Sequence, residues 1–153
     1  METEQYIKQA VGLANKNVKM NGGNPFGAVI VKKGKVVAEG VNDVAASFDP
    51  TAHAEIQAIR QASQSLKTSD LSGCTVYASG QPCPMCLSAM YFSKIKEVYF
   101  AYSNEEAEPF GFSTAPIYTQ LALPIGQQSL PIWKAEADYA ENPYELFHKL
   151  KER

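Results

Sequence analysis

Asp49-Pro50-Thr51-Ala52-His53-Ala54-Glu55 and, thirty residues on, Gln81-Pro82-Cys83-Pro84-Met85-Cys86 are the stretches around which this chain is organised. One imidazole and two thiolates are three ligands of the kind Zn²⁺ takes, and a fourth tetrahedral position left to water separates a catalytic zinc site from a closed structural one. Two cysteines with two residues between them can both turn toward one ion where a loop enters a helix. The N–H groups at that helix end stabilise thiolate charge. His53 does the same from a helix start of its own. Two helix N-termini converging on the ion lower the pKa of a bound water and so supply hydroxide near neutral pH. Glu55, two residues beyond a ligand, is placed to take that water's proton and hand it on. Backbone N–H groups of Ala54 and Cys83 are placed to bind an electron-rich substrate atom. Alone, a Cys-x-x-Cys reads equally as a zinc knuckle or a redox pair, and a His-x-Glu reads as nothing. Their conjunction at two helix starts carries the expectation.

Outward from these stretches the chain alternates helix and strand. Ile7, Val11, Ala14 and Val18 recur at helical spacing between Thr3 and Met20, before the stop at Asn21-Gly22-Gly23-Asn24-Pro25. Ala28–Val31 and Val36–Ala38, joined by Lys32-Lys33-Gly34-Lys35, read as an antiparallel hairpin. Thr51 is the expected cap of a helix running to Leu66. Strands are expected from Cys74 to Ala78 and from Ile95 to Tyr102, and Pro84 suits the first position of the helix between them. On that helix Met85, Leu87, Ala89, Met90 and Phe92 read as core, whereas Phe26 and Phe48 are candidates for packing on a flat ring. A short helix over Ile117–Leu123, a strand over Leu130–Ala137 and a last helix opened by Asn142-Pro143-Tyr144-Glu145 complete the pattern. The expected fold is a three-layer α/β/α sandwich with a mixed five-stranded sheet, one domain over residues 1–153.

The chain has 153 residues, 45% of them hydrophobic, which suffices for one core. A net charge of -2 lacks the positive balance that drives phosphate-backbone binding, so a small neutral substrate is expected and nucleic acid is not. In the last helix Lys149, Lys151 and Arg153 are offset by Glu145 and Glu152. No basic leader opens into an apolar run and no stretch reaches the length of a membrane span, which implies a cytoplasmic protein. Three cysteines are an odd count for a disulfide framework, and Cys74 on its apolar strand reads as buried filler. His148, beside Lys149, reads as a surface residue.

From Ala10 to Ala101 the chain resembles the cytidine deaminase-like superfamily, whose signature is H-x-E followed by P-C-x-x-C. Asn24-Pro25-Phe26-Gly27-Ala28-Val29-Ile30-Val31 and Glu39-Gly40-Val41-Asn42 are further segments that match the superfamily, and within it Phe26 and the Pro84-Met85 between the cysteines most resemble bacterial guanine deaminases. The resemblance implies one Zn²⁺ per subunit on His53, Cys83 and Cys86, with Glu55 carrying a proton to a ring nitrogen and then to the departing amine. It also implies base contacts from Phe26, Asn42, Ala54, Cys83 and Thr114. It implies a homodimer in which the C-terminal segment, from about residue 104, is a candidate for exchange between subunits. Two departures stand out. Gln81 replaces the family's Glu before Pro-Cys, and Ser113-Thr114 stand where guanine deaminases carry acids after Gly-Phe. Glu105, Glu106, Glu108, Glu141 and Glu145 are the alternatives for that acceptor. The expected function is a zinc hydrolase acting on a cyclic amidine carbon–nitrogen bond, converting guanine to xanthine and ammonia in purine metabolism. The alternatives are a tRNA adenosine deaminase, a deaminase of another aminopurine, cytosine or a nucleoside, and a non-catalytic zinc-stabilised binding module.

Overall fold

The structure, a computed structural model, describes residues 1–151; the charges at Glu152 and Arg153 lie outside the described residues. The chain divides into two compact units, Met1–Ala122 and a second beginning at Leu123. Helix α1 (Glu2–Asn21) buries Tyr6, Ala10, Ala14 and Asn17 along one stripe and ends at Gly22 in the left-handed conformation, φ 62°. Strands β1 (Gly27–Lys32) and β2 (Lys35–Val41) form the expected hairpin. Its two turn residues, Lys33 and Gly34, both have positive φ, 51° and 74°, the geometry that matches strand twist in a two-residue connection.

A four-residue helical turn, α2 (Val44–Ser47), leads to α3 (Ala54–Leu66), β3 (Cys74–Gly80), α4 (Pro84–Phe92) and β4 (Glu97–Tyr102). The sheet has the order β2-β1-β3-β4, with β1 antiparallel to both neighbours and β3 parallel to β4. On one face Ala28, Ile30 and Val76 pack with Ala54, Ala58 and Ala62 of α3 and Cys86 and Met90 of α4. On the other, Val29, Val31 and Tyr77 pack with Tyr6 and Ala10 of α1. These are the three α/β/α layers. Close approach of helices to the sheet depends on two strand glycines. A Cβ at Gly27 would lie 2.5 Å from the Ala10 carbonyl oxygen, and one at Gly40 would lie 2.2 Å from that of Ala54.

Beyond β4 come α5 (Asn104–Ala107), a 3₁₀ turn over Glu108–Phe110, and α6 (Ala115–Leu121), two residues earlier than expected. In the second unit, α7 (Pro143–Lys151) starts where Asn142 Oδ1 accepts the N–H groups of Tyr144 and Glu145. His148 is exposed, as expected, and Cys74 is fully buried.

Several expectations are corrected. The described sheet has four strands instead of five, because residues 130–137 form no ladder: Leu130 and Trp133 are 70% and 84% exposed, and a stretch becomes a strand only where a neighbour accepts its hydrogen bonds. Thr51 does not cap α3. Its N–H and hydroxyl both donate to Asp49 Oδ1, and the N-cap is His53. Phe92, at the end of α4, is 88% exposed, because it lies on the side of the helix opposite Cys86 and Met90, the residues that face the sheet.

Candidate metal centre and substrate cavity

His53 and Cys83 are the N-caps of α3 and α4, both with extended backbone that turns the side chain across the helix start. Cys86 sits one turn into α4, fully buried, and its N–H donates to Cys83 Sγ at 3.4 Å. The His53 Nδ1 atom lies 3.4 Å from Cys83 Sγ and 3.6 Å from Cys86 Sγ. All three donor atoms fall within 4.8 Å of one another. With zinc–sulfur and zinc–nitrogen bonds of about 2.3 and 2.05 Å, the nitrogen–sulfur edge of a tetrahedron is about 3.6 Å, so the donor set fits Zn²⁺ without rearrangement. These thiols are free, with no disulfide among them.

Electrostatics follow the packing. Glu55 is 6% exposed, and desolvation pushes its carboxyl up to about 7 against the pull of its own backbone N–H. Hydrogen bonding from Cys86 and His53 holds the Cys83 thiol down at about 4, whereas sharing that bond and burial raise Cys86. His53 is raised by its bond to Cys83.

Alongside these groups lies a cavity of about 300 Å³, the size of a small heterocycle with its waters. The expected site residues Phe26, Asn42, His53, Glu55, Cys83 and Thr114 all line it. Ala54 does not, being fully buried; what it offers is a backbone N–H in the first turn of α3, where a helix has no internal acceptor. Asn42 Oδ1 accepts the Val44 N–H at 3.1 Å, which commits the oxygen and leaves the NH₂ group to offer a ligand. Asn17 Nδ2 donates to the carbonyls of Asn24 and Asn42 at 2.9 and 3.0 Å, clamping the chain on either side of the Phe26 ring.

Phe48 is 92% exposed and takes no part in the cavity, whereas Phe112, unforeseen, packs edge-on against Phe26 with centroids 5.4 Å apart. None of Glu105, Glu106 and Glu108 lines the cavity, and Glu106 is spent in a capping box with Ser103. Also unforeseen is Tyr118, whose hydroxyl donates to the Pro82 carbonyl, tying α6 to the loop that carries the first cysteine. Such a bond joins residues 36 apart in sequence and leaves no local signal.

Comparison with known proteins agrees with this geometry. Residues 1–102 match the family model of the cytidine and deoxycytidylate deaminase zinc-binding region. The chain is 40% identical to guanine deaminase of Bacillus subtilis (strain 168) over 147 residues, 96% of this chain and 94% of that protein. It is 40% identical to the tRNA-specific adenosine deaminase of Aquifex aeolicus over 101 residues, 66% of each. The crystal structure of the Bacillus subtilis guanine deaminase superposes with a TM-score of 0.90 at 40% identity, covering 95% of this chain and 93% of that one. A guanine deaminase structure from Nitrosomonas europaea gives 0.68 at 30% identity, covering 72% and 64%. The tetrahedral donor set at two helix starts and the matched family sequence agree: the chain belongs to the cytidine and deoxycytidylate deaminase family of zinc-binding proteins.

Proposed function

We propose that this protein is a zinc-dependent hydrolase that deaminates a free nucleobase, taking guanine and water to xanthine and ammonia. The observation that carries the reading is a base-sized cavity lined by His53, Cys83 and the buried Glu55, with Cys86 completing the donor set behind its wall. Similarity to the Bacillus subtilis guanine deaminase across nearly the whole chain supports the choice of guanine, since the Aquifex aeolicus tRNA deaminase matches 66% of the chain.

His53, Cys83 and Cys86 would hold Zn²⁺, which would supply a water acidified enough to act as nucleophile near neutral pH. Glu55 takes one proton from the attacking water and delivers it to a ring nitrogen, then takes the remaining proton of the added hydroxyl and gives it to the amine as the carbon–nitrogen bond breaks and the carbonyl forms. The Phe26 ring packs on the base, braced by Phe112. Asn42 donates through its NH₂ group, the backbone N–H groups of Ala54 and Cys83 meet the base's electron-rich edge, and Thr114 contributes its hydroxyl. Exclusion of water by the aromatic pair strengthens each of these contacts.

The reading includes a cytoplasmic homodimer. Two thiolates reserved for a metal suit a reducing compartment. Tyr91 and Phe92, 80% and 88% exposed at the end of α4, are apolar surface of the kind a second copy covers. The segment from about residue 104 is the part proposed for exchange between subunits. No helix among the described residues is long and apolar enough to cross a membrane.

The test is ammonia release by the zinc-loaded protein from guanine, adenine, cytosine, their nucleosides and tRNA. Guanine is expected to dominate. Glu55→Gln should keep its zinc and lose turnover by roughly 10²- to 10⁴-fold, the usual worth of a positioned proton carrier. Ammonia from tRNA alone would move the substrate, and a zinc-replete protein releasing none from any of them would be a binding module.

A further inference from the structure

We infer that Asn104 is a positioning residue for substrate choice: it fixes the Thr114 hydroxyl as a hydrogen-bond acceptor on the cavity wall, selecting bases with an N–H beside the amino-bearing carbon. The inference rests on the deaminase reading above and adds a determinant of which base is taken.

Asn104, the first residue of α5, is 7% exposed and held from several sides. Its backbone N–H donates to Gln81 Oε1 at 2.9 Å, and Gln81 in turn donates its own N–H to the Tyr102 carbonyl at 2.8 Å. The Ser103–Glu106 capping box fixes the helix start around it. Asn104 is thereby anchored to the loop that carries Cys83. Its side chain then reaches past α5 and the 3₁₀ turn to accept the N–H and the hydroxyl of Thr114, at 3.2 and 3.3 Å.

The chemistry of these two contacts is determinate. A backbone N–H can only donate, so the Asn104 atom facing it is the amide oxygen. An amide oxygen can only accept, so the Thr114 hydroxyl must give its single proton to that oxygen. What remains on Thr114 Oγ1 is two lone pairs, and Thr114 lines the cavity shared by His53, Glu55 and Cys83. Asn42 carries the opposite commitment, its oxygen bound to Val44 and its NH₂ left to donate. One wall thus accepts and another donates.

In guanine the amino-bearing carbon lies between one ring nitrogen that carries hydrogen and one that carries a lone pair. In adenine and cytosine no nitrogen adjacent to that carbon carries hydrogen. 2-Aminopurine keeps the same amino-bearing carbon but sets it between two lone-pair nitrogens and lacks the 6-oxygen, so the comparison is of each variant's effect on the two ligands. A neutral acceptor on Thr114 therefore takes over the role of recognising the guanine N–H without a second carboxylate in the cavity.

The experiment measures KM and kcat for guanine, and the dissociation constant of 2-aminopurine from its own fluorescence, on zinc-loaded wild type, Asn104→Leu, Asn104→Asp and Thr114→Val. Loss of one neutral hydrogen bond predicts KM for guanine raised roughly fivefold in Asn104→Leu and Thr114→Val, with 2-aminopurine affinity unchanged. Asn104→Asp, whose carboxylate accepts the same two bonds, should stay within about twofold of wild type. Equal losses on both ligands, no loss on either, or Asn104→Asp failing like Asn104→Leu would each overturn the inference. Should Asn104→Leu not fold, Thr114→Val decides alone, since it leaves the backbone anchor in place. Failure of the underlying reading is separate: it appears as a wild-type protein that releases no ammonia from guanine.

Discussion

Replacing Gly40 with alanine should empty the metal centre without touching a ligand. The added Cβ would lie 2.2 Å from the Ala54 carbonyl oxygen, 2.6 Å from the Ala58 nitrogen and 3.1 Å from Gln57 Cβ, where ordinary contact begins near 3.4 Å. Two of these neighbours are backbone, so no side chain can rotate away and α3 must withdraw from β2 by about 1 Å. Ala54 follows His53 directly, so the shift carries the imidazole and the Glu55 carboxyl away from two sulfurs that remain fixed on α4. Overpacking of this kind costs about 2 kcal/mol, which for a chain of this length lowers the melting temperature by roughly 6 °C. A misplacement of about 1 Å at a reacting centre costs on the order of 10²-fold in rate. Zinc affinity is read by competition with a colorimetric chelator, stability by thermal melting and activity by ammonia release from guanine. Gly40→Ala with zinc affinity and kcat/KM within about twofold of wild type would refute the claim that α3 is held in place by this contact.

Three further outcomes follow from the same structure. Gly12→Ala, on the exposed side of α1 with nothing within 4 Å of the new Cβ, should stabilise the fold by about 0.8 kcal/mol and leave ammonia release unchanged, as read by denaturant titration and rate. Tyr118→Phe removes the bond to the Pro82 carbonyl; unfolding free energy should fall by about 1 kcal/mol, and zinc should dissociate faster in a chelator-competition time course. Removing the metal with a tight chelator should abolish turnover and lower the melting temperature. Adding Zn²⁺ back should restore both, and a metal-free protein retaining full activity would contradict the donor set assigned here.

Much of the centre was legible because its signals are short-range. His-x-Glu and Cys-x-x-Cys each sit at a helix start, where a proline, a turn and an apolar run declare the geometry within a few residues. The hairpin was readable for the same reason, through Lys33-Gly34. The misreadings have separate causes. Thr51 looks like a cap until Asp49 claims both its donors. Phe92 has core chemistry, but α4 turns it away from the sheet, opposite Cys86 and Met90. Residues 130–137 read as a strand with Pro131 at its start, but composition says nothing of whether an edge is there to receive them. The Gln81–Asn104–Thr114 chain links three loops through side-chain oxygens, and no periodicity announces it.

The start of α3 shows what the site costs the fold. His53 occupies the N-cap, where Ser, Thr, Asp or Asn would close an amide of the first turn, and its ring makes no such bond. Restoring a capping side chain there is worth about 1 kcal/mol. A search for sturdier variants that scored only thermal endurance in chelator would therefore favour His53→Ser or His53→Asp, and the proteins it selected would be hardier and inert. Durability and chemistry compete at this one position, and the histidine records which of them selection kept.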